Sequence, residues 1–199
     1  MNILQINSSI RGELAQSSQL AQRIVSRLQS HNPNSQLKLR DLAAHPHPML
    51  DASVVHALAT DAEQRSPQQA ALVAANDTLI TELQACDVLV LAVPMYNFAI
   101  PAQLKNWIDA ICRARVTFRY TEQGPQGLVI GKTVYVALAR GGFHRDTTQD
   151  SQVSYLTTVL AFLGMTDVHF IYAEGLSRGE QAVQQAFAQA QAEINRLIH

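Results

Sequence analysis

The chain has 199 residues, of which 47% are hydrophobic and 16% are charged. This is enough for one domain with a full core and short for two, so we expect a single domain over residues 1–199. The net charge of −1, with lysine and arginine scattered singly, excludes the electrostatic footprint of a nucleic-acid-binding protein.

Apolar periodicity alternates between strand spacing and helix spacing along the whole chain. The predicted strands cover residues 3–6, 36–40, 87–93, 132–139 and 167–173. The predicted helices cover residues 16–29, 67–85, 101–111, 151–163 and 180–198. The third strand, "DVLVLAV", is continuously apolar, which is typical of a parallel strand buried on both faces, whereas "QLKLR" alternates as an edge strand does.

Strands that alternate with helices imply right-handed βαβ crossovers and a parallel sheet with helices on both faces. Five strands and five main helices fit a flavodoxin-like α/β fold, a three-layer sandwich with strand order 2-1-3-4-5. Two segments exceed this plan. Residues 41–66 contain a predicted short helix, and residues 116–126 indicate an extended flap or hairpin.

In such a sheet, ligands bind beyond the carboxyl ends of the strands, where the strand order reverses. The loops after the first, third and fourth strands should therefore converge on one site. The first, "NSSIRGELAQSS", is rich in hydroxyl groups and opens a helix. Ser9, Gln16, Ser17 and Ser18 can supply donors to a phosphate. The alternative is that Ser17 or Ser18 only caps the helix.

Of the other two loops, one is apolar and the other is glycine-rich. "VPMYNFAIP" places aromatic and apolar side chains in a loop, where they pack either on the protein itself or on a flat ligand. In "RGGFHRD", Gly141 and Gly142 permit a close approach to a ligand or positive φ, and a plain turn is the alternative. A phosphate pocket beside a flat apolar slot suits flavin mononucleotide (FMN).

Competing motifs fail on spacing. "GKT" at residues 131–133 lacks the earlier glycine of a Walker A motif, and no GxGxxG is present. His45 and His47 stand between prolines without a third ligand, so we expect a solvated loop and no metal.

Cys86 and Cys112 lack CxxC spacing and are expected to be reduced, half-buried thiols of a cytoplasmic protein. No signal peptide or bilayer-spanning run of ~20 residues is visible.

Several motifs together resemble one family. They are "SS…QSSQL", "PMYNF…QLKNWID", "VTFRYTEQGPQGL", "RGG", "FLGMTDV" and "AEG". The chain resembles the bacterial FMN-dependent NADH azoreductases of the flavodoxin-like superfamily over nearly its whole length. The resemblance implies a homodimer that binds FMN non-covalently and uses NADH, with NADPH also possible, to reduce quinones and azo compounds.

The resemblance also implies roles for particular residues. Ser9, Gln16 and Ser17 would hold the phosphate. The isoalloxazine ring would be lined by Met95, Tyr96, Asn97 and Phe98, and its polar edge by Arg140, Gly141 and Gly142. Two positions depart from the family pattern, because Ala15 and Ala139 stand where serine is usual. Ala15 removes at most one hydroxyl, and Ala139 can still contribute backbone groups.

The cofactor would perform the chemistry, so no side chain need be an obligatory acid or base. Asn97 and His144 are candidates for assistance, and an exposed polar residue is the alternative for His144. Phe118, Tyr120 and Phe162 are expected to line the substrate slot, from their own or a second subunit, with core packing as the alternative.

Two rival functions remain at this point. One is a flavodoxin-type electron carrier without a substrate of its own; such carriers are strongly acidic, unlike this chain. The other is a flavin-free α/β module whose loops are only structural.

Overall fold

The computed structural model describes residues 1–199. Its strands are β1 (Asn2–Asn7), β2 (Gln36–Asp41), β3 (Val88–Pro94), β4 (Phe118–Thr121), β5 (Gly124–Gly127), β6 (Thr133–Ala139) and β7 (Asp167–Ala173). Its helices are α1 (Gln16–His31), α2 (Ala52–Ala59), α3 (Pro67–Ala85), α4 (Ala102–Ile111), α5 (Ser151–Leu163) and α6 (Glu180–Leu197). The predicted strands and main helices are confirmed, with ends that differ by at most two residues.

Five strands form one parallel sheet in the order β2-β1-β3-β6-β7. Strands β4 and β5 form a separate antiparallel hairpin, so the order of the remaining strands is the predicted 2-1-3-4-5. β2 lies at an edge, as its alternating sequence predicts. The strand order reverses between β1 and β3, which places the switch point where the sequence indicated.

Helices cover both faces of the sheet, and each face has its own apolar core. Leu83 of α3, Trp107 of α4 and Leu160 of α5 belong to the larger core. Ile24 of α1 and Ile194 of α6 belong to the smaller one on the opposite face. The continuous apolar run of β3 is buried throughout because it serves both cores. None of the helices combines the length and apolar character that a crossing of the lipid bilayer requires.

The two additional segments are also ordered. Within the first, α2 is the expected short helix, and the Asp51 carboxylate caps it by accepting a hydrogen bond from the Val54 amide. The second is the β4–β5 hairpin, which packs on the C-terminal end of α5. There a Cβ on Gly127 would lie 2.1 Å from the backbone nitrogen of Gly164, so only glycine fits.

Candidate functional site

The loops after β1 and β3 are joined directly at the switch point. The register pairs Asn7 with Ala92, so the two strands end at the same edge of the sheet. Ser8 Oγ donates a hydrogen bond to the carbonyl of Ala92 at 2.7 Å. Ser9 Oγ and Tyr96 Oη lie 2.9 Å apart and share a hydrogen bond. Serines of the first loop thus position the aromatic loop that follows β3.

The N-terminus of α1 has donors without protein partners. Its N-cap is Ala15, which provides no side-chain cap, and the amides of Gln16, Ser17 and Ser18 have no protein acceptor. Ser17 Oγ is buried and also unpartnered. The capping alternative is wrong, because both serines lie inside the helix and Ser18 Oγ donates to the carbonyl of Gly12 at 2.8 Å. Such a helix start is suited to an anion.

The aromatic loop contains a tight turn with unusual backbone angles. Tyr96 and Ala99 exchange two backbone hydrogen bonds of 3.0 Å. Between them, Asn97 and Phe98 have φ of 50° and 65°, a left-handed conformation that is rare for an aromatic residue. The amides of Asn97 and Phe98 have no protein acceptor, and the Phe98 ring is 54% exposed. Strain of this kind is characteristic of functional sites.

The glycine pair after β6 lies close to two side chains, each of which would have to move aside for a Cβ. A Cβ on Gly141 would lie 2.5 Å from Ser177 Oγ, and one on Gly142 would lie 2.8 Å from His144 Nε2. Neither glycine has positive φ, so that alternative is wrong. Their carbonyls accept hydrogen bonds from Ser177 and Gly175, whereas their amides have no protein acceptor.

Arg140 does not present its side chain to the site. Its guanidinium is buried, donates to both carboxylate oxygens of Asp150 at 2.9 and 2.6 Å, and lies 3.2 Å from Glu174 Oε1. Its Nε donates to Gln152 Oε1 at 3.2 Å. Glu174 also accepts a hydrogen bond from the amide of His144. The charge of Arg140 is neutralised inside the protein, where its side chain fixes the glycine loop, and its expected place at the polar edge of a ring stays a prediction.

Two contacts join the glycine loop to the aromatic loop. The rings of His144 and Phe98 meet edge to face with centroids 5.8 Å apart. His144 Nδ1 is buried without a partner, so this residue stays a candidate for assistance. The carbonyl of Ala139 accepts a hydrogen bond from the Met95 amide at 3.2 Å, which ties the end of β6 to the aromatic loop.

The three expected substrate-slot residues lie together at the other end of the sheet. Phe118 and Phe162 have ring centroids 4.4 Å apart, and Tyr120 packs edge to face on Phe118 at 5.6 Å. Phe162 lies eleven residues after Ser151 on α5, which corresponds to about 16 Å along the helix. They are therefore too distant to line the site of their own subunit, which corrects that option. Phe118 belongs to the larger core and Phe162 packs against it, as the core-packing alternative expects, and a contribution from the second subunit stays a prediction.

Neither cysteine supplies a nucleophile to this site. Burial raises the pKa of the Cys86 thiol, and it raises the pKa of Cys112 to about 11. Both thiols are free, and both are protonated near neutral pH.

Sequence reasoning missed the residues that support the loops from behind, namely Asp150, Gln152 and Glu174. One signal was visible for Gln152. It occupies the apolar stripe of α5 that continues with Leu156 and Leu160, and a polar residue in such a stripe usually has an internal partner.

The geometry suits one type of ligand. The amides of α1 and the Ser17 hydroxyl can bind an anionic group. The amides of Asn97 and Gly142 can donate to acceptors at the edge of a ring, beside the exposed Phe98. A flavin nucleotide has an anionic phosphate and a flat ring edged with acceptors, so the residues present fit FMN.

Comparison with known proteins agrees with this geometry. A family model described as flavodoxin-like fold matches residues 1–198. An FMN-dependent NADH:quinone oxidoreductase of Dechloromonas aromatica is 59% identical over 198 residues, covering 100% of both chains. A protein of the same name from Aromatoleum aromaticum is 56% identical with the same coverage.

Solved structures agree on the fold. The azoreductase of Bacillus anthracis str. Sterne superposes with a TM-score of 0.89 at 24% identity, covering 100% of this chain and 98% of that one. An FMN-dependent NADH-azoreductase from Bacillus anthracis str. Ames Ancestor in complex with FMN gives 0.88 at 23% identity, with 100% of both chains covered. By the family model and the sequence identities, the chain belongs to the flavodoxin-like family and, within it, to the FMN-dependent NADH:quinone oxidoreductases.

Proposed function

We propose that this chain binds FMN and uses NADH to reduce quinones and azo compounds by two-electron, ping-pong hydride transfer. When bound, FMN would supply the two-electron redox chemistry, and the loops after β1, β3 and β6 would hold it. The named relatives support the electron donor and the quinone substrates. Because those relatives are oxidoreductases, the electron-carrier alternative is not favoured.

The observation that supports this proposal most directly is the unpartnered Ser17 hydroxyl at an uncapped helix start. Buried polar atoms are nearly always hydrogen-bonded, and this one lies among three free amides. We assign this group, with Gln16, to the FMN phosphate. Ser9 would act there through the loop, since its hydroxyl is engaged by Tyr96.

The aromatic and glycine loops would bind the ring. We assign stacking or edge contacts to Met95, Tyr96 and Phe98, and hydrogen bonds to the amides of Asn97 and Gly142, with Gly141 allowing the loop to pass close by. Fixed amide donors of this kind stabilise negative charge on a bound group without reorganising. His144 would assist the reaction by stabilising charge on the bound ring through its unpartnered Nδ1.

The assembly belongs to the same proposal. We propose a single domain over residues 1–199 that forms a homodimer in the cytoplasm. The second subunit would bring Phe118, Tyr120 and Phe162 to the substrate slot. Tyr120 is available for such a contact, since it projects from the hairpin and is 75% exposed.

The test begins with an absorption spectrum of the purified protein. We expect an absorption band of bound flavin at about 450 nm, either in the protein as purified or after FMN is added to the apoprotein. Steady-state turnover of menadione with NADH should then give parallel double-reciprocal plots. NADPH and an azo dye should be compared in the same assay. A protein that stays colourless with excess FMN contradicts the proposal, and bound flavin without turnover indicates a carrier.

A further inference from the structure

The first turn of α5 contacts both the aromatic and the glycine loop from inside the protein. We infer that Gln152 is a positioning residue of the flavin site, which holds the turn at residues 96–99 in its strained conformation. The inference rests on the proposed function, since the turn is assigned there to the flavin ring. Gln152 is buried behind the turn, so it acts through the loop and not on the reacting atoms.

The hydrogen bonds of Gln152 use both ends of its side-chain amide. Nε2 donates to the carbonyl of Pro94 at 2.9 Å and to that of Ala99 at 3.2 Å. Oε1 accepts from Arg140 Nε at 3.2 Å. The side chain is only 1% exposed, so water cannot replace these partners. One residue thus spans the aromatic loop from its start to the end of its turn.

These contacts explain how the turn keeps its shape. Left-handed φ at Asn97 and Phe98 is unfavourable and persists only where the surroundings determine it. The carbonyl of Ala99 is held by Gln152, and that of Phe98 accepts a hydrogen bond from Ser151 Oγ. The carbonyls of Phe98 and Ala99 are thus held by side chains of α5. The amides of Asn97 and Phe98 have no protein acceptor, so they can donate to a ligand.

The other end of Gln152 ties the turn to the glycine loop. Arg140 begins that loop, and its guanidinium is fixed by Asp150 and Glu174. Asp150 is also the N-cap of α5, where it accepts a hydrogen bond from the amide of Val153. A buried network whose members are all satisfied is rigid. Gln152 therefore sets the position of the turn relative to the glycine loop.

The test compares Gln152→Met, Gln152→Glu and the matched control Gln184→Met. Methionine preserves length but removes every hydrogen bond, whereas glutamate keeps an acceptor for Arg140 and loses both donors when ionised. Gln184 is exposed on α6, in the layer on the opposite face of the sheet. Each variant is examined by FMN titration of apoprotein, amide hydrogen exchange without FMN, and urea unfolding.

We expect both Gln152 variants to bind FMN about tenfold more weakly, which corresponds to about 1.4 kcal/mol. The amides of Tyr96 and Ala99, which close the turn, should exchange faster in the apoprotein. The control should match the wild type in both measurements. Should the Gln152 variants fail to fold, Ser151→Ala removes an exposed contact with the same turn. It should change the same quantities in the same direction by a smaller factor.

The outcomes separate the two proposals. Wild-type FMN affinity and wild-type exchange at Tyr96 and Ala99 in the Gln152 variants would overturn the inference. A loss of unfolding free energy alone would overturn it too, because it would show that Gln152 only satisfies buried carbonyls. A wild-type protein that fails to bind FMN overturns the proposed function. The exchange rates then still decide whether Gln152 holds the turn.

Discussion

The single residues that distinguish this site are polar groups that the rest of the protein leaves without partners. Ser17 Oγ and His144 Nδ1 are buried and unpaired, and the amides of Asn97 and Phe98 have no acceptor. Arg140 is the opposite case, since every part of its buried guanidinium is engaged. Buried donors without a protein acceptor indicate where a ligand binds. A side chain such as Arg140, whose donors are all hydrogen-bonded within the protein, holds the loops in place.

Ser17→Ala tests the phosphate assignment at this scale. We expect the Kd for FMN to rise by about 10- to 150-fold, the equivalent of one lost hydrogen bond to a charged group. The free energy of unfolding should change by less than about 0.5 kcal/mol, because no hydrogen bond within the protein is lost. Calorimetric titration and urea unfolding measure the two quantities. Ser26→Ala, at an exposed position of α1, is the matched control; equal FMN affinity in both variants contradicts the assignment.

At the scale of elements, an ion-pair cluster ties the edge strand β2 to α3. Arg40 donates to both oxygens of Glu82 at 2.6 and 2.5 Å, and Lys38 Nζ lies 2.9 Å from Oε1. Burial of Glu82 opposes its ionisation, but the hydrogen bonds from Arg40 and Lys38 outweigh it and lower the pKa of this carboxyl. The cluster secures a strand that has only β1 as a neighbour.

The lowered pKa of Glu82 predicts a specific pH dependence. Its stabilising contribution is fully present above the unfolded pKa of about 4.3 and is lost as pH falls through the lower folded pKa. Glu82→Gln should lower the free energy of unfolding at pH 7 by about 1–3 kcal/mol. It should also flatten the decline in stability below about pH 4.5. Urea unfolding from pH 7 to 3 measures both effects, with the exposed, unpaired Glu63→Gln as control. If Glu82→Gln shows the same decline in stability with pH as the wild type, ionised Glu82 does not stabilise the fold.

At the level of the whole molecule, the proposed flavin site and the aromatic hairpin lie at opposite ends of the sheet. Phe118 and Phe162 pack on each other and on the larger core, while Tyr120 projects outward. A second copy that places its hairpin at the first copy's site would complete the substrate slot. This arrangement makes activity depend on the proposed dimer.

Tyr120→Ala tests that arrangement without disturbing the core. We expect KM for a bulky quinone to rise about 3- to 10-fold, with little change in the Kd for FMN, because only a wall of the slot is lost. Tyr120→Phe retains the ring and should keep the wild-type KM. Steady-state kinetics give KM, and sedimentation gives the oligomeric state. Wild-type kinetics in Tyr120→Ala, or a fully active monomer, would remove the hairpin from the site.

Much of the fold could be predicted because it depends on local patterns. Apolar periodicity located the five sheet strands and the main helices, and in the structure a capping box of Ser66 and Gln69 fixes the start of α3. The alternation of elements then implied the sheet order, since parallel strands need right-handed crossovers. Family motifs added FMN and the phosphate residues, but no contact geometry.

Local sequence patterns are enough to predict the sheet, the switch point and the three loops around it. Long-range packing, in contrast, turns Arg140 inward, holds Phe98 in a strained conformation and places Phe118 at the far end of the molecule. Each of these depends on which groups meet across long stretches of chain. Periodicity reports which face of an element is buried, but partners such as Gln152 and the carbonyl of Ala99 are chosen only when the elements pack.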